Sequence, residues 1–521
     1  MPELRRRDFL MASAAGVAAS GFATQPARAQ DVEHVWDGYD WGNPLPVPDR
    51  LYQGPFTNYG AGANAPGGEV GMATSPSRDI VPNYGMGLTA YVSGDTGPPR
   101  LPGQSLEKAI EDIVKLPFTQ NVYIRPNWRE VQSRPGKLDL PDWWRITFDL
   151  ARQYGKRVGF RIMLENPDFP EPGMPEFLME KVPYVPLKGS WTGDPSQTRY
   201  RKKHAMPQFD HPAYQAAFGE LNALLADQYN GSPDIEYMDT MMYGFWGEGH
   251  TWPFEGNYFA SNMAAERTWL RMLETQLAHW TRTPLVTNTQ PDFNNVGNAA
   301  MLDRTVRSGN WIRSDTIFIE NSQIEALSNR PPWAAAVSEV SMTTGDPARL
   351  GIVDGVTHNE QVIAHVLAVG ANYWSVWNWH DEAAAHVLSY YDKYPEPIDH
   401  IARRIGYRVY PAFIWPFERD GGHGVVIGLA NDGVAGVPGV IRLTLKDEAG
   451  ATVASGCVDP GYPKPAGIRQ AMLTWADGRD WQGLRLSAEL EVKGVRHPLR
   501  WACRQSLNPD DSLTLRQNIR S

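Results

Sequence analysis

A glutamate in a glycine-rich turn is the feature of this sequence that most directly indicates chemistry. Glu248 lies in the run Tyr-Gly-Phe-Trp-Gly-Glu-Gly-His at 243–250, directly after the apolar segment 234–242. The glycines of this run allow backbone bends that other residues resist. Trp246, Trp252 and Phe254 add flat apolar surface nearby. The pattern predicts a carboxylate presented to a ligand at the edge of a sheet; the alternative is a solvated loop glutamate beside core aromatics.

A second glutamate interrupts another apolar segment. Glu339 is the only charge in the segment 334–340, which reads as a strand. A buried carboxylate without a partner is costly, so such a residue is usually ion-paired or functional. Glu320, after the apolar triplet 317–319, has the same character and is a rival for the second role. Asp239 lies within a predicted strand and is interpreted as a structural partner for an arginine.

The elements that must position these residues alternate between strands and helices. Strands are predicted at 86–92, 121–127, 157–164, 235–243, 284–289, 316–320, 334–340 and 372–377. Helices are predicted between them at 105–115, 143–154, 213–229, 264–280 and 359–369. Eight strands alternating with helices over some 300 residues are typical of an α/β fold of the (β/α)8 barrel type. The alternative, an open doubly wound sheet, is disfavoured because no glycine-rich phosphate loop follows a strand.

Polar and aromatic residues cluster where the predicted strands end, which is where barrels bind their ligands. Hydroxyl groups need polar partners and sugar ring faces need aromatic ones, so this rim predicts binding of a polyol. Arg125 and Arg161 are expected to pair with rim carboxylates and keep one of them ionised. His250 is equally consistent with a plain loop residue, and His380 with a rim pair to Asp381. The candidate substrate-binding residues are Arg125, Asn127, Trp128, Arg161, Trp246, His250, Asn288, Glu320, Asn321, Trp377, Trp379 and His380.

Two neighbouring segments carry a family resemblance. The stretch Val-Tyr-Ile-Arg-Pro-Asn-Trp-Arg-Glu-Val at 122–131 is followed by Arg-Pro-Gly-Lys-Leu-Asp at 134–139 and by Gly-Lys-Arg-Val at 155–158. This order resembles clan A glycoside hydrolases such as the family 42 β-galactosidases. It is more similar still to uncharacterised secreted barrels with a G-x-W-G-E motif and a C-terminal β-sandwich. The resemblance covers the layout of about residues 80–500.

The resemblance implies a pair of catalytic glutamates. In clan A the fourth strand supplies the acid/base and the seventh the nucleophile, which by position are Glu248 and Glu339. Retaining enzymes of this kind cleave a glycosidic bond with two such carboxyl groups and need no metal or organic cofactor. Clan A sequences usually have asparagine before the acid/base, whereas this chain has Gly247. Asn288 or Asn321 is a candidate for the missing hydroxyl contact.

The N-terminal residues are predicted to be an export signal. Arg5-Arg6-Arg7-Asp8-Phe9-Leu10 matches a twin-arginine pattern and precedes an Ala/Gly-rich stretch, and Ala27-Arg28-Ala29 is a plausible cleavage site. The expected layout is a signal at 1–29, an extended arm at 30–82, the catalytic barrel at 83–403, a β-sandwich at 407–507 and a loose polar tail at 508–521. The mature protein is therefore expected in the periplasm or outside the cell.

The C-terminal sandwich is predicted from short strand runs separated by turns, at 424–429, 440–445, 451–457, 470–474 and 484–492. It is expected to be a structural companion of the barrel. The two cysteines, Cys457 and Cys503, both lie in this part. In an oxidising compartment they either form a disulfide or remain buried thiols, and the sequence does not choose.

Composition narrows the partners. A net charge of -10 with interspersed acids and bases argues against nucleic acid or an anionic membrane as a partner. The partner expected is an oligo- or polysaccharide. Two alternatives stay open: a non-catalytic carbohydrate-binding barrel, and a metal- or cofactor-dependent periplasmic enzyme in which Glu248, His250, Glu320 and His380 converge. The sugar, its linkage, exo or endo action and the oligomeric state are not determined by the sequence.

Overall fold

The computed structural model describes most of the chain from residue 70 onward. The described residues are 70–93, 97–166, 171–186, 205–249, 259–289, 299–314, 326–339, 352–353, 356–375, 383–419, 421–458 and 469–518. The predicted signal peptide and most of the predicted arm lie outside these ranges. Among the helices within them, none has the length and apolar character needed to cross a membrane.

The larger part of the protein is a closed barrel of eight parallel strands. In chain order, barrel strands 1 to 8 are Gly87–Tyr91, Asn121–Ile124, Arg157–Phe160, Ile235–Asp239, Leu285–Asn288, Trp311–Ser314, Ala336–Glu339 and Tyr373–Ser375. Each pairs with its sequence neighbours, and strand 8 closes the barrel on strand 1. The (β/α)8 barrel predicted from the sequence is therefore confirmed.

Helices cover the outside of the barrel. The longer helices are Leu106–Val114, Asp142–Gln153, Pro212–Tyr229, Asn262–His279, Ala299–Arg307, His358–Ala368, Ala384–Lys393 and Pro395–Ala402. Their ends follow local chemistry: the Ser105 hydroxyl accepts from the Lys108 amide, and Ser261 caps its helix through the Ala264 amide. Short helices occur at Trp128–Val131 and Glu176–Met179, and two-stranded pairs are formed by Tyr184–Pro186 with Ala205–Pro207 and by Ile352–Val353 with Val356–Thr357.

Two packed sheets form the C-terminal sandwich. One sheet contains Val409–Arg419, Gly422–Asn431 and Arg469–Trp475, with Met72–Ala73 added at its edge. The other contains Thr452–Val458, Val440–Lys446, Arg485–Val492 and Val495–Leu499, and Leu513–Thr514 pairs with Arg485–Val492. The sandwich core is continuous with the aromatic residues that fill the barrel interior, through Tyr84, Met86 and Tyr407. The sandwich thus closes the end of the barrel at which the strands begin.

Two strands differ from the sequence-based expectation. Barrel strand 6 is Trp311–Ser314, earlier in the chain than the predicted 316–320, which lies outside the described residues. The sequence does not indicate this strand because Arg313 interrupts the apolar run by which a strand is recognised. Strand Val409–Arg419 is not expected from the sequence, since Pro411 and Pro416 argue against a strand. One edge of this strand pairs along its length with Gly422–Asn431, whereas the other edge pairs only with Met72–Ala73.

The predicted loose tail is ordered as far as residue 518. Leu513 and Leu515 are buried in the sandwich core, and the Asn518 side chain exchanges hydrogen bonds with the backbone of Ala73. The apolar residues of the tail, spaced by two, are what a short strand needs to cover a core. In this structure Cys503 is a buried thiol and is not bonded to Cys457.

Candidate active site

Glu248 is placed by a tight turn that follows barrel strand 4. The turn contains a short 3-10 helix at Phe245–Gly247 and is closed by hydrogen bonds from the Met242 amide to the Gly247 carbonyl (3.1 Å) and from the Gly249 amide to the Tyr243 carbonyl (2.8 Å). Gly249 has a φ of 89°, and a Cβ there would lie 2.0 Å from the Trp269 ring. Glycine is therefore required at this position, as the sequence pattern indicated.

Trp246 adopts a strained conformation to occupy this turn. Its φ of 54° is in the left-handed region, which costs a non-glycine residue about 1–3 kcal/mol. Its amide donates to the Glu165 carbonyl (2.8 Å), and its side chain belongs to the core between barrel and helices. These contacts hold the strained backbone in place and keep the next two residues, Gly247 and Glu248, in a fixed orientation over the barrel.

Two arginines hold the Glu248 carboxylate. Its Oε1 accepts from Arg161 Nη2 at 2.7 Å and from Arg313 Nη1 at 3.1 Å. Arg161 comes directly after barrel strand 3, Arg313 lies in strand 6, and both are buried. Two guanidinium groups on one oxygen favour the ionised carboxylate.

Asp239 is the second carboxylate of the network. Its Oδ2 accepts from the Tyr123 hydroxyl at 2.7 Å, and Arg161 Nη1 and Arg313 Nε lie 3.3 and 3.4 Å away. Asp239 is 1% exposed and ends barrel strand 4. Asp239 therefore positions both arginines, which agrees with the role as a structural partner for an arginine that the sequence indicated.

Glu339 is the third carboxylate and ends barrel strand 7. It forms an ion pair with Arg313 Nη2, and Arg125 Nη1 lies 4.0 Å from its Oε1. Since Arg313 also contacts Glu248, one guanidinium bridges the two glutamates. The carboxylates of strands 4 and 7 therefore meet over the centre of the barrel.

The three carboxylates of this centre face three arginines, so the opposite charges are equal in number. Burial opposes the charged form of Arg313, but Asp239 and Glu248 outweigh it and raise the pKa of Arg313 well above its usual value. At Arg161 burial likewise opposes the charge, and neighbours including Tyr123 and Asp239 raise its pKa. Burial raises the pKa of Tyr123 well above its usual value, so this hydroxyl stays a neutral donor. Fixed, dry cations opposite paired carboxylates are a preorganised site for proton transfer or for attack on an electrophilic carbon.

A small cavity adjoins the ion network. It has a volume of about 290 Å³ and is lined by Arg125, Asn127, Glu130 and Trp143, among others. Arg125 connects this cavity with the ion network, since its Nη1 lies 4.0 Å from Glu339 Oε1. An amide, a guanidinium, a carboxylate and an indole around one cavity suit a hydroxyl-bearing ligand.

Other predicted site residues have different placements. Asn288 ends barrel strand 5, and its amide nitrogen lies 3.4 Å from the Glu248 carbonyl. Trp128 is fully buried, packs edge-on against Tyr214 and donates its indole N–H to Gln132. Trp128 therefore belongs to the core and does not face the site. Those predicted residues that lie outside the described ranges are His250, Glu320, Asn321, Trp377, Trp379 and His380.

Two central residues of the network, Arg313 and Tyr123, are not predicted from the sequence. Arg313 contacts all three carboxylates of the network. The signal that could have identified Arg313 is a single charge in a short buried strand, Trp-Ile-Arg-Ser, as Glu339 is the single charge in its strand. In the part of the chain that the structure describes, no group of three or more His, Cys, Asp or Glu side chains is arranged to hold a metal ion.

Solved structures of low sequence identity share parts of this fold. No family model and no curated protein matches the sequence. GH5_18 from Streptomyces cattleya is 14% identical with a TM-score of 0.32, over 52% of this chain and 65% of that one. The glycoside hydrolase family 30 subfamily 8 xylanase Xyn30A from Clostridium acetobutylicum is 10% identical with a TM-score of 0.33, over 77% and 96%.

A third solved structure is named as an epimerase and not as a glycoside hydrolase. D-allulose 3-epimerase from Methylomonas sp. is 12% identical with a TM-score of 0.33, over 62% of this chain and 99% of that one. Likenesses this distant do not choose between activities. The strand pairing of this chain itself defines a (β/α)8 barrel with a C-terminal β-sandwich. Its activity is inferred from the geometry of the site.

Proposed function

We propose that the protein is a glycoside hydrolase that uses Glu248 and Glu339 as its catalytic pair. The observation that carries this proposal is the bridge through Arg313, which brings the glutamates of strands 4 and 7 to one point. Cleavage of a glycosidic bond needs one carboxylic acid for the leaving oxygen and one carboxylate facing the anomeric carbon. The contact with Arg313 supports Glu339 as the second residue; the alternative, Glu320, lies outside the described residues.

The proposed reaction proceeds with retention, with Glu248 as acid/base and Glu339 as nucleophile. Retention is what the resemblance to clan A implies. Contact of both carboxylates with one guanidinium is compatible with the retaining separation of about 5–5.5 Å and also with the inverting one of about 6.5–9.5 Å. The arginines on Glu248 favour its ionised form in the resting site. To act as the acid, Glu248 must therefore take up a proton from solvent before the glycosidic bond is cleaved.

The first test is activity. The purified protein is screened on aryl glycosides and on plant and bacterial polysaccharides, together with Glu248→Ala and Glu339→Ala. Each replacement is expected to lower kcat/KM by about a thousandfold. Glu176→Ala, at an exposed surface glutamate, is the matched control and should leave activity unchanged. Full activity of Glu248→Ala would show the central assignment to be wrong.

Azide rescue then assigns the two roles. Without the acid/base, azide attacks the glycosyl-enzyme and yields a glycosyl azide of retained configuration. Without the nucleophile, azide attacks the substrate directly and yields the inverted product. The proposal expects retention from Glu248→Ala and inversion from Glu339→Ala. The opposite pattern would reverse the two roles.

A non-catalytic carbohydrate-binding barrel is the second candidate. It is favoured by the engagement of both glutamates with arginines and by Gly247, where clan A enzymes usually have asparagine. Calorimetry with oligosaccharides separates the two functions. Saturable binding with no release of reducing ends would support the binding protein over the hydrolase.

We propose also that the protein acts outside the cytoplasm after twin-arginine export. The support is the N-terminal motif that contains Arg6 and Arg7. Replacing both by lysine should leave the full-length precursor in the cytoplasmic fraction of the producing cell. Unchanged export of that variant would contradict this proposal without affecting the enzymatic one.

A further inference from the structure

A second polar cleft lies between the barrel and the sandwich and shares no lining residue with the glutamate site. Its volume is about 720 Å³. Five arginines line it from three parts of the chain: Arg78 before the barrel, Arg403 and Arg404 after helix Pro395–Ala402, and Arg408 and Arg504 from the sandwich side. The protein as a whole carries a net charge of -10, so five arginines in one cleft are a strong local departure.

The acidic residues of the cleft do not neutralise these arginines. Three carboxylates line it, those of Glu396, Asp399 and Asp432. Asp399 is already engaged by Arg403 at 3.3 Å and by the Tyr391 hydroxyl at 2.7 Å. Within the described ranges, Arg78, Arg404 and Arg504 have no ion pair. The cleft therefore retains a net positive charge.

Arg408 is the deepest of the five arginines. It is 2% exposed, whereas the other four are exposed at the surface. Its Nη2 donates to the Ser77 carbonyl at 2.9 Å, and its Nη1 has no hydrogen-bond partner among the described residues. A buried guanidinium with an unused N–H is costly unless an anion or another acceptor compensates it.

Arg408 differs from the other buried arginines in its surroundings. Arg161 and Arg313 are equally buried but lie among carboxylates, and their pKa values are raised. Burial lowers the pKa of Arg408; Asp432 and Asp79 oppose this effect without cancelling it, and the neighbouring Arg404 adds to it. Arg408 is thus a buried cation whose nearby carboxylates do not offset the cost of its burial.

We propose that this cleft is a binding site for an oxyanion group, the phosphate or sulfate of a small molecule. Arginine presents several N–H groups in a planar fork that matches oxyanion geometry, and several such forks here approach from different elements. The bound anion would contact the segment before the barrel, the barrel helix and the sandwich together. Binding would therefore stabilise the junction between the two domains.

Isothermal titration calorimetry of the full-length mature protein with inorganic phosphate, and separately with inorganic sulfate, tests the proposal at ionic strength held constant with chloride. Saturable one-to-one binding of at least one of them, with a Kd of about 1 mM or tighter, is expected. The double variant Arg404→Gln and Arg504→Gln should weaken binding about tenfold or more, because it removes two charge-assisted contacts. These two side chains are exposed, so the variant should fold.

Two further variants complete the test. Arg408→Met should abolish binding, and circular dichroism must show that it is folded. Arg145→Gln, at an exposed arginine of helix Asp142–Gln153, is the control and should bind as the wild type does. Absence of saturable binding of both anions, or undiminished affinity in the double variant, would overturn the proposal.

Discussion

Replacing Arg313 by methionine should strongly destabilise the barrel in a pH-dependent way. The side chain is 2% exposed and contacts Asp239, Glu248 and Glu339. Methionine keeps much of the apolar stem but removes the charge and the five donors. Asp239 and Glu248 would retain Arg161, whereas Glu339 would retain only Arg125, 4.0 Å away.

The magnitude follows from the geometry. A pair of unit charges about 3 Å apart interacts by about 5 kcal/mol at an effective dielectric constant of about 20. The desolvation of the buried guanidinium offsets most of the three such interactions. Removing one member of a buried ion network typically costs about 3–5 kcal/mol. We therefore expect Arg313→Met to lower the free energy of unfolding by about 3–5 kcal/mol near pH 7.

The pH dependence identifies the mechanism. A carboxylate stranded in the variant binds a proton more tightly in the folded state than in the unfolded state. The folded variant then holds more protons, so its stability rises as pH falls from 7 to 5, by up to about 1.4 kcal/mol per pH unit for each proton. The deficit relative to wild type should shrink accordingly.

Urea unfolding at pH 7 and pH 5, followed by circular dichroism, measures both quantities. Arg496→Met is the control, because the Arg496 side chain is 56% exposed and its buried partner Glu491 keeps a second arginine, Arg442, at 2.8 Å. This replacement should cost no more than about 1 kcal/mol. A loss below about 1 kcal/mol for Arg313→Met, or a deficit that is the same at both pH values, would refute the reasoning.

Three further changes test the turn, the sandwich and the tail. Gly249→Ala should cost about 2–4 kcal/mol by thermal unfolding, since its Cβ would overlap the Trp269 ring at a φ of 89°. Burial lowers the pKa of His497, stacked on Tyr84, to about 3. In the unfolded chain this histidine protonates near pH 6.5, whereas the folded protein keeps it neutral, so the free energy of unfolding decreases as pH falls below about 6.5. His497→Phe should remove about 2 kcal/mol of that loss between pH 7 and 4.5 in urea unfolding. Leu515→Ala should cost about 2–4 kcal/mol in urea unfolding because this tail residue is fully buried.

Each of these changes has a matched control. Gly155→Ala, at a left-handed glycine with open space around the position of an added Cβ, should cost only about 1 kcal/mol. His386→Phe, at an exposed histidine, is the control for the loss of a histidine side chain. Arg516→Ala, exposed beside Leu515, should be close to neutral. Equal losses in a variant and its control would contradict the corresponding structural explanation.

The barrel is predictable from the sequence because it depends on local patterns. Alternating apolar runs and amphipathic helices identify strands and helices one at a time, and a rim follows from their number and order. Strand 6 is harder to place, since its inward-facing Arg313 looks like a break and moves the predicted strand to later residues. Strand Val409–Arg419 escapes prediction because its prolines are tolerated only where pairing is incomplete.

The sequence by itself determined that Glu248 follows a barrel strand on a turn that requires glycine, and that Glu339 ends another strand. Both follow from short-range patterns and backbone sterics. Only the tertiary structure decided which charges meet: Arg161, Asp239 and Arg313 are up to 152 residues apart along the chain yet share one ion network. Barrel closure and strand register set those contacts, because parallel strands bring their carboxyl ends to the same edge whatever their distance in sequence.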